Sequence, residues 1–519
     1  MRRQDGKGSD FPTEARRRSE ARDHSSAPRR LGAEKCLGLC LAALALFLWL
    51  ALPLAARDYP PDVPPPKAAT IPAPVIQVLP NGLEVVAVER RTLPLITLRL
   101  VVKVGAERDP RGLEGTAALV NSLLTEGTAH RTSRQMAEAI DAAGGLVDNG
   151  AEWDSSFLSL SVLSDQADLA FDLVSDMAAR PAFRPEEIER QRTQTISGLQ
   201  VAHDDPVYVA DTVFQELVFA GTAYSHPEDG TLQSVPRIQA ADLRSFHQRY
   251  YQPANCILAV VGDITAADAF AHAARFFADW QNSGPLPEQP ASTPTSSSAR
   301  RVVAIDKPDA VQTEIRIGNL AVARNSPDYL ALTVANEILG GPSENRLFKA
   351  LRSREGLTYG ASSDLVCHRR LGTWMGKTFT RTPETVKSTH IALEQMKSLR
   401  DEKISENELE TAQSYLVGHL ALDFETSDAV ASHVLEMIQN GLPMDYWTRY
   451  AGELRDLTAE DVRRATERYL NVDHNVLVLI GNASEFKKDL KKFGSAKVIP
   501  LSALDFAAPD LRVPGEAGN

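Results

Sequence analysis

Cysteine is scarce in this chain, which has four in 519 residues. Two of them lie in an apolar segment near the N-terminus, so only Cys256 and Cys367 belong to the main body. Two cysteines this far apart in the sequence provide neither a disulfide framework nor a C-x-x-C metal site. We therefore expect neither a disulfide-stabilised fold nor a metal bound by cysteines.

Dense runs of Lys and Arg are missing after residue 57. Residues 1–57 hold 11 Lys/Arg and 6 Asp/Glu, which leaves 45 basic and 62 acidic side chains, a net charge of −17, in residues 58–519. Nucleic-acid binding normally needs a basic face, so we expect no nucleic-acid partner. The apolar fraction of 43% is that of an ordinary globular protein, and the length predicts two to four domains.

One long hydrophobic run is present, Cys36–Ala56, which reads "CLGLCLAALALFLWLALPLAA". It has no charged residue and is long enough to cross a bilayer. An arginine-rich leader, residues 1–35, precedes it, and the positive-inside rule keeps such a leader in the cytoplasm. We therefore predict a periplasmic body that residues 36–56 anchor in the inner membrane, followed by a Pro-rich spacer at 57–75. A cleaved signal peptide is the alternative.

The body is internally repeated. The stretch "RYYQPANCILAVVGDI" (Arg249–Ile264) recurs 219 residues later as "RYLNVDHNVLVLIGNA" (Arg468–Ala483). A second echo, "EIER" (Glu187–Arg190), recurs 221 residues later as "ELET" (Glu408–Thr411). A period this long exceeds that of solenoid repeats and indicates a duplicated domain.

The two copies are predicted at 76–282 and 301–510, on either side of a Pro/Ser-rich linker at 283–300. The first copy opens with a strand pair around a polar turn, "LEVVAVERRTLPLITLRLVVKVG". Helical stretches such as "SRQMAEAIDAAGG", "RPEEIERQRTQTISGLQ" and "AADLRSFHQRYY" follow, the last leading into a closing strand. Hairpin-like connections predict an α+β fold of two homologous halves, about 210 residues each, with a mainly antiparallel sheet flanked by helices.

The stretch "GTAALVNSLLTEGT" (Gly115–Thr128) carries a family resemblance. Over roughly residues 76–500 the chain resembles the pitrilysin/insulinase-type metallopeptidases, the inverzincin family that includes mitochondrial processing peptidase. In that family a helix with the same entry and exit carries H-x-x-E-H, whose histidines bind zinc and whose glutamate is the general base. The resemblance places Ala118 and Ser122 at the histidines and Asn121 at the glutamate.

The third zinc ligand of the family, a glutamate on a later helix, corresponds to Gly198, which follows Ser197. Alanine and glycine cannot ligate zinc, and asparagine takes no proton at neutral pH. We therefore expect no metal in this chain. Glu126 and His130 lie close by, but we interpret them as ordinary surface residues. "HVLEM" (His433–Met437) matches part of the motif in the wrong half, and we interpret it as a chance match.

The second half keeps a different family segment. "LGGPSENRLFKALRSREGLTYGASS" (Leu339–Ser363) resembles the segment in which an arginine and a tyrosine seven residues later hold the substrate backbone and help to stabilise the transition state. Arg352 and Tyr359 stand at those positions. A structural arginine and a packed tyrosine are the alternative. We interpret Arg346 as structural, and Gly340 with Gly341 as a tight chain reversal.

Within the family, this pattern resembles the non-catalytic subunit of a heterodimer. The resemblance implies a substrate-binding subunit of a zinc metalloendopeptidase, with Arg352 and Tyr359 acting in the active site of a zinc-bearing homologous partner on a peptide substrate. Two alternatives stay open. One is a structural scaffold with a peptidase fold, as in relatives within the respiratory cytochrome complex. The other is a module that captures peptides without hydrolysis.

Overall fold

The computed structural model describes residues 73–288, 293–294, 299–342, 345–508 and 510–512. Its strands form two six-stranded sheets. The first sheet contains β1 (Val75–Val78), β2 (Glu84–Glu89), β3 (Leu95–Val102), β4 (Leu146–Ala151), β5 (Ser156–Leu163) and β6 (Cys256–Gly262), in the order β1-β2-β6-β3-β5-β4. The second contains β7 (Arg301–Asp306), β8 (Gln312–Ala321), β9 (Ala361–Cys367), β10 (Gly372–Arg381), β11 (Val476–Gly481) and β12 (Ala496–Pro500), in the order β12-β7-β11-β8-β10-β9.

Helices flank both sheets. Those of the first half are α1 (Thr116–Ser122), α2 (Ser133–Ala142), α3 (Ala167–Ala179), α4 (Pro185–Asp204), α5 (Pro206–Val218), α6 (Ala240–Tyr250) and α7 (Ala266–Phe276). Those of the second half are α8 (Tyr329–Gly340), α9 (Arg346–Phe348) with a π-helical continuation (Lys349–Arg354), α10 (Thr385–Asp401), α11 (Glu406–Asp423), α12 (Ser427–Gln439), α13 (Tyr446–Asp456) and α14 (Ala459–Tyr469). The predicted α+β architecture, with mainly antiparallel sheets, is confirmed.

The duplication is visible strand by strand. In both sheets a fully buried strand, β6 or β11, lies inside the sheet and follows a helix of 11 residues, α6 or α14. The edge strands β1 and β12 of the two sheets differ in direction, because they come from opposite ends of the chain. Strand β1 enters from the N-terminal side and pairs antiparallel with β2, whereas β12 enters from the C-terminal side and pairs parallel with β7.

The predicted pairing of the two opening strands is wrong. Strands β2 and β3 follow each other in the sequence, but β6 lies between them, parallel to β2 and antiparallel to β3. All seven residues of β6 are buried, and its Ile, Leu and Val side chains are apolar on both faces. Such a strand needs cover on both faces and neighbours on both sides, and the space between β2 and β3 provides the neighbours.

Each half lends a helix to the other half's sheet. Helix α5 packs on β8 and β11 of the second sheet, and α12 packs on β3 and β6 of the first. Val213 and Phe214 of α5 share a core with Val478 of β11, while Val434 of α12 shares a core with Ile257 of β6. This reciprocal exchange makes the two halves one packed body.

An ion pair accompanies each exchanged helix. Arg99 of β3 donates through Nη1 to Asp428 of α12 at 3.1 Å, and Arg316 of β8 donates through Nε to Asp211 of α5. The two arginines occupy the same position in their sheets, since Arg99 faces Ala259 of β6 and Arg316 faces Val478 of β11. The aspartates lie at different turns of their helices, so the duplicated halves form the same interaction from different helical positions.

The predicted membrane anchor, residues 36–56, lies outside the described residues, as do the leader and most of the spacer. Among the helices that the structure does describe, none combines the length and the apolar character needed to cross a bilayer.

Candidate functional site

The entry of α1 is held by backbone contacts. Gly115 has a left-handed backbone with φ of 94°, and a Cβ there would lie 2.7 Å from the carbonyl oxygen of Asp229, so no other residue fits without displacement. The carboxylate of Asp109 accepts hydrogen bonds from the backbone N–H groups of Gly115 at 2.6 Å and Ala117 at 2.8 Å. These bonds satisfy donors that the start of a helix leaves free.

Asn121, at the family's general-base position, has become part of the core. Its side chain is 1% exposed, and its Nδ2 donates to the carbonyl oxygen of Phe157 at 2.9 Å. The Nδ2 of Asn149, on β4, donates to both the carbonyl oxygen and Oδ1 of Asn121, at 2.8 and 2.9 Å. Burial raises the pKa of the neighbouring Tyr251 hydroxyl to about 12. The position therefore lies in a neutral hydrogen-bonded network that ties α1 to β4 and β5.

The three positions that the resemblance assigns to the zinc ligands are Ala118, Ser122 and Gly198, none of which is a histidine or a carboxylate. Ala118 and Ser122 are half-buried on α1, and the Ser122 hydroxyl donates to the carbonyl oxygen of Leu119 at 3.0 Å. Gly198 is exposed on α4, where a Cβ would meet no atom within 4 Å. Helices α1 and α4 are in contact. The positions that the resemblance assigns to the zinc ligands thus lie on two helices in contact, α1 and α4.

The nearby residues Glu126 and His130 are engaged elsewhere. The carboxylate of Glu126 accepts from Gln191 at 2.8 Å and from Arg190, and His130 Nδ1 lies 2.8 Å from Asp176 Oδ1. Across the part of the chain that the structure describes, no three His, Cys, Asp or Glu side chains lie close enough to hold a metal.

The "HVLEM" segment belongs to the middle of α12. His433 packs edge-on against Trp447, with ring centres 4.8 Å apart, and its Nδ1 lies 3.4 Å from Glu436. Glu436 also pairs with Arg324. These contacts give both motif residues a structural role inside the second half.

Arg352 and Tyr359 lie together at the surface of the second half. Arg352, in the π-helical segment after α9, donates through Nη1 to the Tyr359 carbonyl oxygen at 2.8 Å. Its guanidinium carbon also lies 4.3 Å from the centre of the Tyr359 ring. Tyr359 is 75% exposed. The pair is therefore preformed and open to solvent, unlike a packed structural pair.

The rest of this segment is structural. Arg346 forms a two-pronged ion pair with Glu408, at 2.7 and 3.1 Å. Burial opposes ionisation of Glu408, but hydrogen bonds from Arg346 and Ser405 outweigh it and lower the pKa of Glu408 to about 2. Gly340 ends α8, and a Cβ there would lie 2.0 Å from the backbone nitrogen of Ser363. The backbone of Gly340 has no positive φ, so a left-handed conformation does not explain the glycine. The close approach of β9 requires it instead.

Two models of one peptidase family match adjacent parts of the chain. The model described as insulinase (peptidase family M16) matches residues 85–228, and the one described as peptidase M16 inactive domain matches residues 237–416. The chain belongs to peptidase family M16. The first match includes α1, and the second includes Arg352 and Tyr359, although the second begins at residue 237, before the end of the first half.

Relatives of this family member span most of its length. An uncharacterized zinc protease of Mycobacterium leprae is 25% identical over 413 residues, which is 78% of this chain and 92% of that protein. A Helicobacter pylori protein, described as a non-peptidase homolog, is 20% identical over 404 residues, which is 77% of this chain and 92% of that protein.

Solved structures share the fold. The crystal structure of a peptidase M16 inactive domain from Pseudomonas fluorescens matches with a TM-score of 0.74 at 28% identity, covering 79% of this chain and 97% of that one. The crystal structure of a protease from Helicobacter pylori has the same TM-score at 19% identity, covering 79% of this chain and 100% of that one. At the positions that the resemblance assigns to the family's zinc ligands, this family member carries Ala118, Ser122 and Gly198.

Sequence reasoning missed two residues of this site. Asn149 reaches Asn121 through the pairing of β4 with β5, and Asp109 reaches α1 from the loop before it. Neither lies in a recognisable motif, so the sequence offered no signal for them.

Proposed function

We propose that this chain is the substrate-binding subunit of a heterodimeric zinc metalloendopeptidase in the periplasm. A homologous partner would carry zinc and the H-x-x-E-H helix, and this chain would contribute Arg352 and Tyr359 to the partner's active site. The substrate would be a peptide, and residues 36–56 would attach the complex to the inner membrane.

The observation that carries this proposal is the contrast between the two halves. In the first half, the positions that the resemblance assigns to the zinc ligands carry Ala118, Ser122 and Gly198, and Asn121 is bonded into the core. In the second half, Arg352 and Tyr359 are preserved and face solvent. A chain that served as a scaffold alone would have no use for an exposed, preformed pair of this kind.

The chemistry of the pair fits a role against a peptide backbone. Nη1 of Arg352 is held by the Tyr359 carbonyl oxygen, whereas Nε and Nη2 make no hydrogen bond within the described residues. Those two donors suit carbonyl oxygens of an extended peptide. The Tyr359 hydroxyl adds a donor for an oxygen on which negative charge develops during acyl transfer. Because the guanidinium also stacks on the ring, both groups are positioned before substrate arrives.

The test is reconstitution with a homologue from the same genome that has an intact H-x-x-E-H motif. We expect the two chains to co-purify at equal stoichiometry, with one zinc per heterodimer, and to cleave peptides only together. If the partner alone cleaves as fast as the complex, the scaffold reading is favoured. If this chain binds peptides without any partner or cleavage, the peptide-capture reading is favoured.

A further inference from the structure

A polar cavity of about 210 Å³ lies between the two halves, apart from α1 and from Arg352. Its walls come from β3 and the β4–β5 turn in the first half, and from the β9–β10 turn and α12 in the second. Val101 and Leu435 add apolar surface on either side. The cavity is partly open to solvent, so a small molecule has access.

A buried guanidinium forms the inner wall. The side chain of Arg324 is only 4% exposed, and its ring contacts hold it in place, with the guanidinium carbon 3.9 Å from the centre of the Tyr329 ring. Nε donates to Glu436, and Nη1 donates to the Tyr446 hydroxyl at 3.2 Å. Nη2 is buried and has no hydrogen-bond partner among the described residues. An unpaired, charged donor at this depth is costly, and a ligand oxygen would satisfy it.

A second unsatisfied atom lies in the same wall. Nε2 of His368 is buried without a hydrogen-bond partner in the described part of the chain. The ring stacks on Tyr224 at 5.3 Å, and burial lowers the pKa of His368, so the imidazole is neutral. A neutral imidazole either donates or accepts through Nε2 and tolerates both ends of a polar ligand.

A free carboxylate stands at the mouth. Glu152 lines the cavity beside Arg99 and makes no side-chain hydrogen bond within the described residues. Burial raises the pKa of Glu152, and the nearby Arg99 opposes that rise. The other carboxylates of the walls are engaged: Glu436 pairs with Arg324, and Asp154 accepts from the backbone N–H of Arg369 at 2.6 Å. The walls therefore offer the Glu152 carboxylate, which has Arg99 as a charged neighbour, and the buried Nη2 of Arg324, which has no hydrogen-bond partner among the described residues.

We propose that this cavity binds a small zwitterion with a primary ammonium and a carboxylate, that is, a free amino acid. The carboxylate accepts from Nη2 of Arg324 at the inner end, and the ammonium pairs with Glu152 at the mouth. A simple anion would leave Glu152 with the charge of Arg99 nearby but no hydrogen-bond donor, and a simple cation would leave the Arg324 donor unsatisfied. A molecule with both charges complements both ends.

The test is isothermal titration of the full chain, purified in detergent, with amino acids of increasing charge separation: L-alanine, β-alanine and 4-aminobutyrate. Acetate and methylamine, which carry one charge each, are the ligand controls. We expect saturable binding of one amino acid per chain, a preference for one charge separation, and a higher melting temperature. Either control binding as tightly as the amino acids, or none of the amino acids binding, would overturn the proposal.

Two variants locate the site. Glu152→Gln and Arg324→Lys should each weaken binding by about tenfold or more, since each removes a charge-assisted hydrogen bond. Glu410→Gln, an exposed glutamate on α11, is the matched control and should bind like the unmodified chain. If Arg324→Lys fails to fold, Glu152→Gln decides alone, because Glu152 is exposed and its replacement leaves the core intact. Unchanged affinity in Glu152→Gln contradicts the assignment.

Discussion

The guanidinium carbon of Arg352 lies 4.3 Å from the centre of the Tyr359 ring, and its Nη1 donates to the Tyr359 carbonyl oxygen at 2.8 Å. The two residues thus fix each other's position, although Tyr359 is mostly exposed. A long, charged side chain that is free in solution loses conformational entropy when it binds. The pair avoids much of that loss because it is ordered beforehand.

Removing either group should slow the reconstituted peptidase without affecting its assembly. Loss of one preorganised donor typically lowers kcat by about 10²–10³-fold, so we expect this for Arg352→Ala and Tyr359→Phe in the heterodimer. Arg354→Ala, an exposed arginine in the same π-helical segment, is the control. Equal heterodimer yield and melting temperature must accompany the loss. Unchanged cleavage in both variants would leave no catalytic role for the pair.

This chain should not bind zinc stoichiometrically. Introducing the family's H-x-x-E-H motif at positions 118, 121 and 122 should not by itself create a good protease. In Ala118→His/Asn121→Glu/Ser122→His, the third ligand is still missing, and Asn121→Glu replaces a buried donor with a carboxylate that faces the Phe157 carbonyl oxygen. We expect that change alone to destabilise the chain by about 3 kcal/mol. Metal analysis and urea unfolding measure both effects. Full activity in the triple variant would show that the third ligand is not at Gly198.

Substitution of Gly198 should stabilise the chain, whereas Asn121→Glu should destabilise it. Gly198 lies exposed on α4 with open space around its Cα. Glycine inside a helix costs about 0.8–1 kcal/mol relative to alanine, so Gly198→Ala should stabilise the chain by about that amount.

The two ion pairs of the exchanged helices should differ in strength. Asp428→Ala deprives Arg99, whose side chain is 13% exposed, of its carboxylate partner and also removes a 2.6 Å bond from Ser159. Asp211→Ala leaves Arg316 still bonded to Glu314 at 2.8 Å. We expect a loss of about 2 kcal/mol for Asp428→Ala and about 1 kcal/mol for Asp211→Ala in urea unfolding. Equal losses would mean that Glu314 does not compensate.

The halves should not fold apart. Residues 76–282 alone would lack α12 and expose the apolar face of α5, and residues 301–510 alone would lack α5. We expect each fragment to be insoluble or to bind a hydrophobic dye, and co-expression to restore a soluble complex. A soluble, cooperatively unfolding single half would contradict this.

A second experiment uses the intact chain with a protease site placed in the 283–300 linker. Cleavage there should not separate the halves on a sizing column.

Stability should fall between pH 5 and pH 8 in part because of Glu107. Burial, assisted by Asp154, raises the pKa of Glu107 from its ordinary 4.5 to about 7. Within that window the folded chain holds a proton that the unfolded chain has released, so stability decreases as pH rises, by at most about 3 kcal/mol. Glu107→Gln should reduce the difference between urea unfolding at pH 5 and at pH 8, and Glu410→Gln should not. An unchanged difference in Glu107→Gln would show that Glu107 ionises normally.

The sequence was sufficient for features carried by local pattern. Helix α2 begins at Ser133, the first residue of the predicted helical stretch, and the hydroxyl of the preceding Thr132 accepts from the Gln135 backbone N–H. Helix α6 and the following strand β6 were also predicted. The order of the strands was not, because β6 joins β2 and β3 from more than 150 residues away. The helix exchange was hidden for the same reason, since nothing in α5 or α12 indicates which sheet it covers.

The reciprocal lending of α5 and α12 has a consequence for how such a chain arises. A single ancestral half would have left one face of its sheet bare, and two copies that exchanged helices would have formed a symmetric, obligate dimer. Fusion of the two genes turns that exchange into an intramolecular contact at high effective concentration. The helix that covers the neighbouring sheet is α5, whereas the helix with the metal positions is α1. Substitutions on α1 therefore leave the contacts that α5 makes with the second sheet in place.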